Sequence, residues 1–138
     1  VIALFHDVLI IISVFSLLYG ILPFSLEIDQ AFIAAILTVI GYSLNDTVVV
    51  FDRVREFQKT KVGDGKVIVN NALNSTLSRT VNTSLTTIVV LLIIFIFGGE
   101  VIRGFMFALI LGVIIGTYSS LFIATPIMVD TSKLKKIT

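Results

Sequence analysis

The sequence predicts an all-α membrane protein, a bundle of four transmembrane helices with both ends of the chain on the cytoplasmic side. Three observations predict it. Of the 138 residues, 57% are hydrophobic and only 14% charged, where a water-soluble domain carries about 25% charged residues, and the mean hydropathy is +1.09. The apolar residues fall into four long runs divided by short charged segments. The basic residues gather in only two of those segments.

A helix rising 1.5 Å per residue needs about 20 residues to cross a hydrocarbon core of roughly 30 Å. The first run, residues 8–26, carries Ser13, Ser16 and Gly20 on one face, a surface of small residues suited to helix contact. Glu27, Asp29 and Gln30 separate it from the second run, residues 31–52, which only Asp46 interrupts before its end. The third, residues 72–98, is uncharged from Thr80 and continues back through Arg79. Gly98, Gly99, Glu100 and Arg103 make a tight connection to the fourth, residues 104–129, where Gly112, Gly116 and Ser120 recur every four residues as a second contact face. Lipid leaves no water for backbone groups, so each run is a helix; barrel strands of about 10 residues would be half as long.

Arg53, Arg55, Lys59, Lys61 and Lys66 crowd the 53–71 loop, and Lys133, Lys135 and Lys136 crowd the tail. Both segments are therefore expected on the cytoplasmic side, which brings His6 and Asp7 near the same face. Gly63, Asp64 and Gly65 read as a flexible turn, and residues 66–77 as a surface helix leading into the third span. The chain opens on Val1 straight into apolar residues, without a basic region or cleavage site, and is expected to be a fragment rather than to start with a signal peptide. No repeat or linker divides it, so residues 1–138 read as one transmembrane domain.

Composition also narrows the chemistry. The chain has no Cys and a single His, which excludes disulfides, thiolate metal sites and histidine metal clusters; no cofactor is expected. No nucleophile stands beside a base and no glycine loop could cradle a phosphate, so an enzyme is not expected. A net charge of +1 offers no surface for nucleic acid.

The candidate site is intramembrane. An ionisable residue within a span costs about 2.5 to 3.5 kcal/mol on insertion scales, and such residues mark ion and proton pathways. Asp46 lies about 22 Å inside the second span, roughly 7 Å from its cytoplasmic end. It borders a polar stripe of Thr38, Tyr42, Asn45 and Asp52. The third span presents Ser75, Arg79, Asn82 and Thr86 at i, i+4, i+7 and i+11, with Arg79 near the cytoplasmic edge and long enough to reach towards Asp46. A carboxylate balanced between burial and a permanent cation can take and release a proton as helices move. Asp46 and Arg79 are the expected proton-conducting residues, with Tyr42, Asn45, Asp52, Ser75, Asn82 and Thr86 as the supporting network. The other reading is a neutralised bridge that only fixes packing, with Arg79 snorkelling to headgroups. Asp52, Arg53, Arg55 and Glu56 read as an interfacial cluster, His6 and Asp7 as a helix terminus or a proton relay, and Phe95, Phe97, Phe105 and Phe107 as packing or lipid-facing material.

The run Gly41-Tyr42-Ser43-Leu44-Asn45-Asp46-Thr47-Val48-Val49-Val50-Phe51-Asp52-Arg53-Val54-Arg55-Glu56 closely resembles the signature of the SecF family, the smaller subunits of SecDF protein-export complexes. The companion SecD family typically carries Asp-Ala-Asn and Phe-Glu-Arg where this chain has Asn-Asp-Thr and Phe-Asp-Arg. The segment Asn74 to Thr87, Leu4-Phe5-His6-Asp7-Val8 and Gly116-Thr117-Tyr118-Ser119-Ser120 resemble further SecF signatures. The resemblance implies an RND-type half of six spans, of which the four here match the third to sixth. It implies a bacterial inner membrane location, a SecD partner, separate or fused, the SecYEG channel, and preproteins captured by periplasmic domains absent from this stretch. It also implies that proton flow, with Asp46 as the conducting carboxylate and Arg79 as its basic partner, drives late steps of export. A non-conducting assembly module and an RND-type exporter of lipids or small molecules remain as alternatives.

Overall fold

The computed structural model describes residues 1–60 and 65–131. Lys61, the Gly63-Asp64 part of the expected turn, and the tail lysines 133, 135 and 136 lie outside the described residues. The described chain is helical, in the order α1 (Ile2–Leu18), α2 (Gln30–Thr60), α3 (Gly65–Phe97), α4 (Glu100–Ser119), a π-helical turn (Ser120–Ala124) and α5 (Thr125–Thr131). The last three form one continuous rod, Glu100–Asp130, so the architecture is the expected all-α bundle of four rods. Three rods, Gln30–Lys59, Gly65–Phe97 and Glu100–Asp130, are long and apolar enough to cross a membrane; α1 is shorter.

α1 does not coincide with the uncharged run at 8–26. It begins at Ile2, because Asp7 turns inward as part of a buried ridge of Ala3, Asp7, Ile11 and Phe15 rather than marking a solvated end. It stops at Leu18 because Gly20 adopts φ +74, a left-handed conformation that glycine takes without a Cβ clash, and Pro23 follows. At 17 residues α1 lies at the short end of the crossing range. Asp29, in the loop that follows, caps α2: its Oδ1 accepts the Phe32 N–H at 2.8 Å.

α2 and α3 run on past the expected span ends and leave only residues 61–64 between them, so residues 66–77 are the first turns of α3 and not a separate surface helix. A small apolar cluster sustains these extensions: Val54, Val69 and Ala72, covered by Phe57, Leu73, Met128 and Val129. At the opposite end, Ile11, Phe15, Leu26, Phe32, Ala35, Val39, Ala108 and Leu109 form the larger core. Phe15 meets Phe32 at 4.6 Å and Phe107 at 5.9 Å, and Phe24 meets Phe95 edge-on at 5.4 Å. Phe95 and Phe107 are thus packing residues, whereas Phe97 is exposed.

α4 is the central rod, packed against α1, α2 and α3. Its small residues permit that approach. A Cβ at Gly112 would strike the Val39 side chain of α2, and one at Gly116 would lie 3.2 Å from the Ser43 Cβ. In lipid, where apolar burial gives little drive between helices, such close backbone approach is a main source of packing.

Candidate intramembrane site

Between the two apolar clusters the bundle holds a polar layer. The buried face of α2 reads Phe32, Ala35, Val39, Ser43, Asp46, Val50, Val54, so its two polar members fall in the middle of the rod. α3 faces it with Thr76, Thr80 and Ser84, α4 and the π turn with Ser119 and Ser120, α1 with Asp7, and α5 with Thr125.

Most of these groups bond across helices. Asp7 Oδ2 accepts from Ser43 Oγ at 3.0 Å and from Ser119 Oγ at 2.7 Å, joining α1, α2 and α4 at one oxygen. Asp7 Oδ1 lies 3.2 Å from His6 Nδ1. Ser120 Oγ donates to the Ser43 carbonyl oxygen at 3.3 Å and meets Thr47 Oγ1 at 2.9 Å. A second chain runs from α2 to α4: the Tyr42 hydroxyl donates to Ser84 Oγ at 3.2 Å, Ser84 Oγ stands 2.6 Å from Thr117 Oγ1, and Thr117 donates to the Val113 carbonyl at 2.7 Å.

Asp46 departs from this pattern. It is 5% exposed, and its Oδ2 has no hydrogen-bond partner among the described residues. A buried polar atom left unmatched costs about 1 to 3 kcal/mol, more when charged, so it marks a place where a proton, an ion or a partner group is expected. Arg79 acts on Asp46 electrostatically but forms no ion pair with it among the described residues. Its side chain instead lines a polar cleft of about 290 Å³ between α2 and α3, with Val49, Asp52, Arg53, Glu56, Ser75 and Thr76. Within that cleft Arg53 makes the contacts: Nη1 to Glu56 at 2.5 Å, Nε to Ser75 Oγ at 3.1 Å, and the guanidinium over the Phe57 ring at 4.9 Å.

The expected residues therefore separate into three places. Asp46 is inside the bundle and Tyr42 belongs to the α2 to α4 chain. Arg79, Asp52 and Ser75 meet at the cleft. Asn45, Asn82 and Thr86 are on exposed faces of α2 and α3. Thr83, Thr86 and Thr87 return their hydroxyls to carbonyls of α3 at 2.8 to 2.9 Å, which spares the membrane an unmatched donor. Sequence reasoning missed the Asp7, Ser43 and Ser119 junction. The signal was present: Ala3, Asp7, Ile11 and Phe15 share one four-residue spacing, which puts the carboxylate on the apolar face of α1.

Comparison with known proteins agrees with this architecture. Residues 1–134 match the family described as protein export membrane protein SecD/SecF, C-terminal. The chain is 63% identical over 131 residues to the protein translocase subunit SecF of Rhodothermus marinus, covering 94% of this chain and 42% of that protein. It is 53% identical to the SecF of Desulfurispirillum indicum, covering 94% and 40%. The chain thus spans about two-fifths of the length of these curated relatives. A solved structure described as SecDF in a super-membrane-facing form superposes with a TM-score of 0.87 at 42% identity, covering 98% of this chain and 18% of that one.

Proposed function

We propose, from the premise that the chain belongs to the SecD/SecF C-terminal family of protein-export membrane proteins, that it is the membrane-embedded part of a SecF-type translocase subunit in which Asp46 carries the proton that powers export. The observation that supports this is the unmatched Oδ2 of Asp46, fully buried in a polar layer where Asp7, Ser43, Ser84, Ser119 and Ser120 all bond across helices. A carboxylate with a free oxygen can accept a proton without first breaking an interhelical bond. A carboxylate whose oxygens already accept several hydrogen bonds is held more firmly in its charged form.

Arg79 supplies a permanent positive charge near enough to act on Asp46 and free to shift between the bundle interior and the cleft that holds Asp52. Movement of α3 against α2 changes the balance between those positions, and this links charge at Asp46 to helix position. The cleft opens at the end bearing Arg53, Arg55 and Lys59, the cytoplasmic side by the excess of basic residues there; for a SecF-type subunit the membrane is the bacterial inner membrane. Asn45 and Asn82 point away from the four rods, and lipid is a poor environment for an amide. A SecD-type half is the partner that covers them, and the channel SecYEG and the exported chain engage parts of the longer protein beyond this stretch. No bond-making chemistry and no cofactor enter this scheme.

The test is Asp46→Asn in the full-length parent protein, with translocation followed in inner-membrane vesicles in the presence and absence of a proton gradient. The expected outcome is normal membrane abundance with loss of the gradient-dependent stage. Unchanged gradient dependence would assign Asp46 to packing and favour a non-conducting assembly module.

A further inference from the structure

Asp7 is 1% exposed, it is bonded from two other rods, and the proposed function makes no use of it. We propose that Asp7 is a positioning residue for Asp46: its charge holds α1 and the end of α4 against α2 one turn from Asp46, so that access of protons to Asp46 depends on the charge at Asp7. This rests on the reading of Asp46 given above.

Three features support it. Ser43, which Asp7 holds, and Asp46 are three residues apart on the same buried face of α2, so any shift at Ser43 moves Asp46 with it. The same junction continues through Ser120 to Thr47, the residue after Asp46, so α2 is gripped on both sides of the Asp46 position. Both serines direct their protons to one carboxylate oxygen, an arrangement that a charged acceptor strengthens about twofold over a neutral one. The ionisable groups around Asp7 are few. His6 touches it on α1, Asp46 lies next along α2, and the rod from residue 104 to 124 carries no charged residue.

Substitution separates charge from packing. Asp7→Asn retains an oxygen with two lone pairs for the two serines and removes the charge, whereas Ser119→Ala removes one bond and keeps the charge. Both are placed in the full-length protein with Asp46→Asn as the reference. Membrane abundance, the pH profile of gradient-driven translocation, and modification of Asp46 by a hydrophobic carbodiimide, read by mass spectrometry of its peptide, are then measured. Asp7→Asn is expected to accumulate normally, to displace the pH profile by about one unit, and to change Asp46 modification severalfold; Ser119→Ala is expected to move both in the same sense by less. If Asp7→Asn leaves profile and modification unchanged while Asp46→Asn abolishes gradient dependence, Asp7 is a packing residue and this inference is overturned with the Asp46 reading intact. If Asp46→Asn is itself silent, both are overturned. Should Asp7→Asn fail to accumulate, Asp7→Glu, which keeps the charge, is compared with Asp7→Gln, which loses it at the same length: different profiles and Asp46 modification support the inference, and equal ones overturn it.

Discussion

Asp7 and Asp46 are two carboxylates buried to nearly the same degree, 1% and 5% exposed, and the bundle treats them in opposite ways. Asp7 receives two serine hydroxyls from two other rods and a histidine nitrogen. Asp46, one turn from one of those serines, keeps an oxygen with no partner among the described residues. Burial alone therefore does not set the surroundings of a buried acid. The distinction lies in whether the surroundings have already used the acceptor capacity of the oxygens.

The sharpest way to break this contrast is to neutralise each acid. Asp46→Asn should remove the gradient-dependent component of export almost entirely, a loss of tenfold or more, with no fall in membrane abundance. Asp7→Ala should act first on stability. With the acceptor gone, the Ser43 and Ser119 hydroxyls lose their shared partner, at about 1 to 3 kcal/mol for an unmatched buried group, measurable as earlier unfolding in detergent. Gly112→Leu should disturb both acids together by pushing α4 off Val39, and overpacking of this kind costs about 1 to 3 kcal/mol. Ser84→Ala interrupts the Tyr42 to Thr117 chain away from either acid, and interhelical bonds in membranes average about 0.6 kcal/mol, so denaturation should shift only slightly. Thr83→Val should be smallest of all, because that hydroxyl bonds only to its own helix at Arg79; unaltered unfolding and export would bear this out.

The helical rods were legible in the sequence because long apolar runs admit no other backbone in lipid, and Gly112 and Gly116 were legible as a contact face because small residues at four-residue spacing have few other uses. The ends of the rods were not. Charged residues mark where water begins, while α2 and α3 continue beyond that boundary on the support of Val54, Val69 and Ala72, which lie far apart in sequence. The polar layer was half legible. The stripe through Tyr42, Asn45 and Asp52 falls on the stretch of α2 that carries the polar layer, yet the helix turns Ser43 and Asp46 inward and leaves Asn45 outside. Polar spacing gives the angle of a stripe and not the direction in which it faces, and in a membrane an outward stripe can be as polar as an inward one when further helices cover it. Asp7 was obscured by its position near the start of the chain, where an acidic residue beside a histidine ordinarily means a helix end.

The π turn at Ser120–Ala124 carries a genetic consequence. A widened turn holds one residue more than an α-helix needs, and its Ser120 carbonyl accepts the Thr125 hydroxyl at 3.1 Å. Deleting one residue from 121–124 would remove that surplus and restore an ordinary helix, so Thr125 and Met128 would keep their places in the bundle, whereas deleting one residue from the regular helix at 105–115 would rotate the two sides of the cut against each other by about 100°. In-frame loss of a single codon should therefore be far better tolerated within 121–124 than a few turns before it.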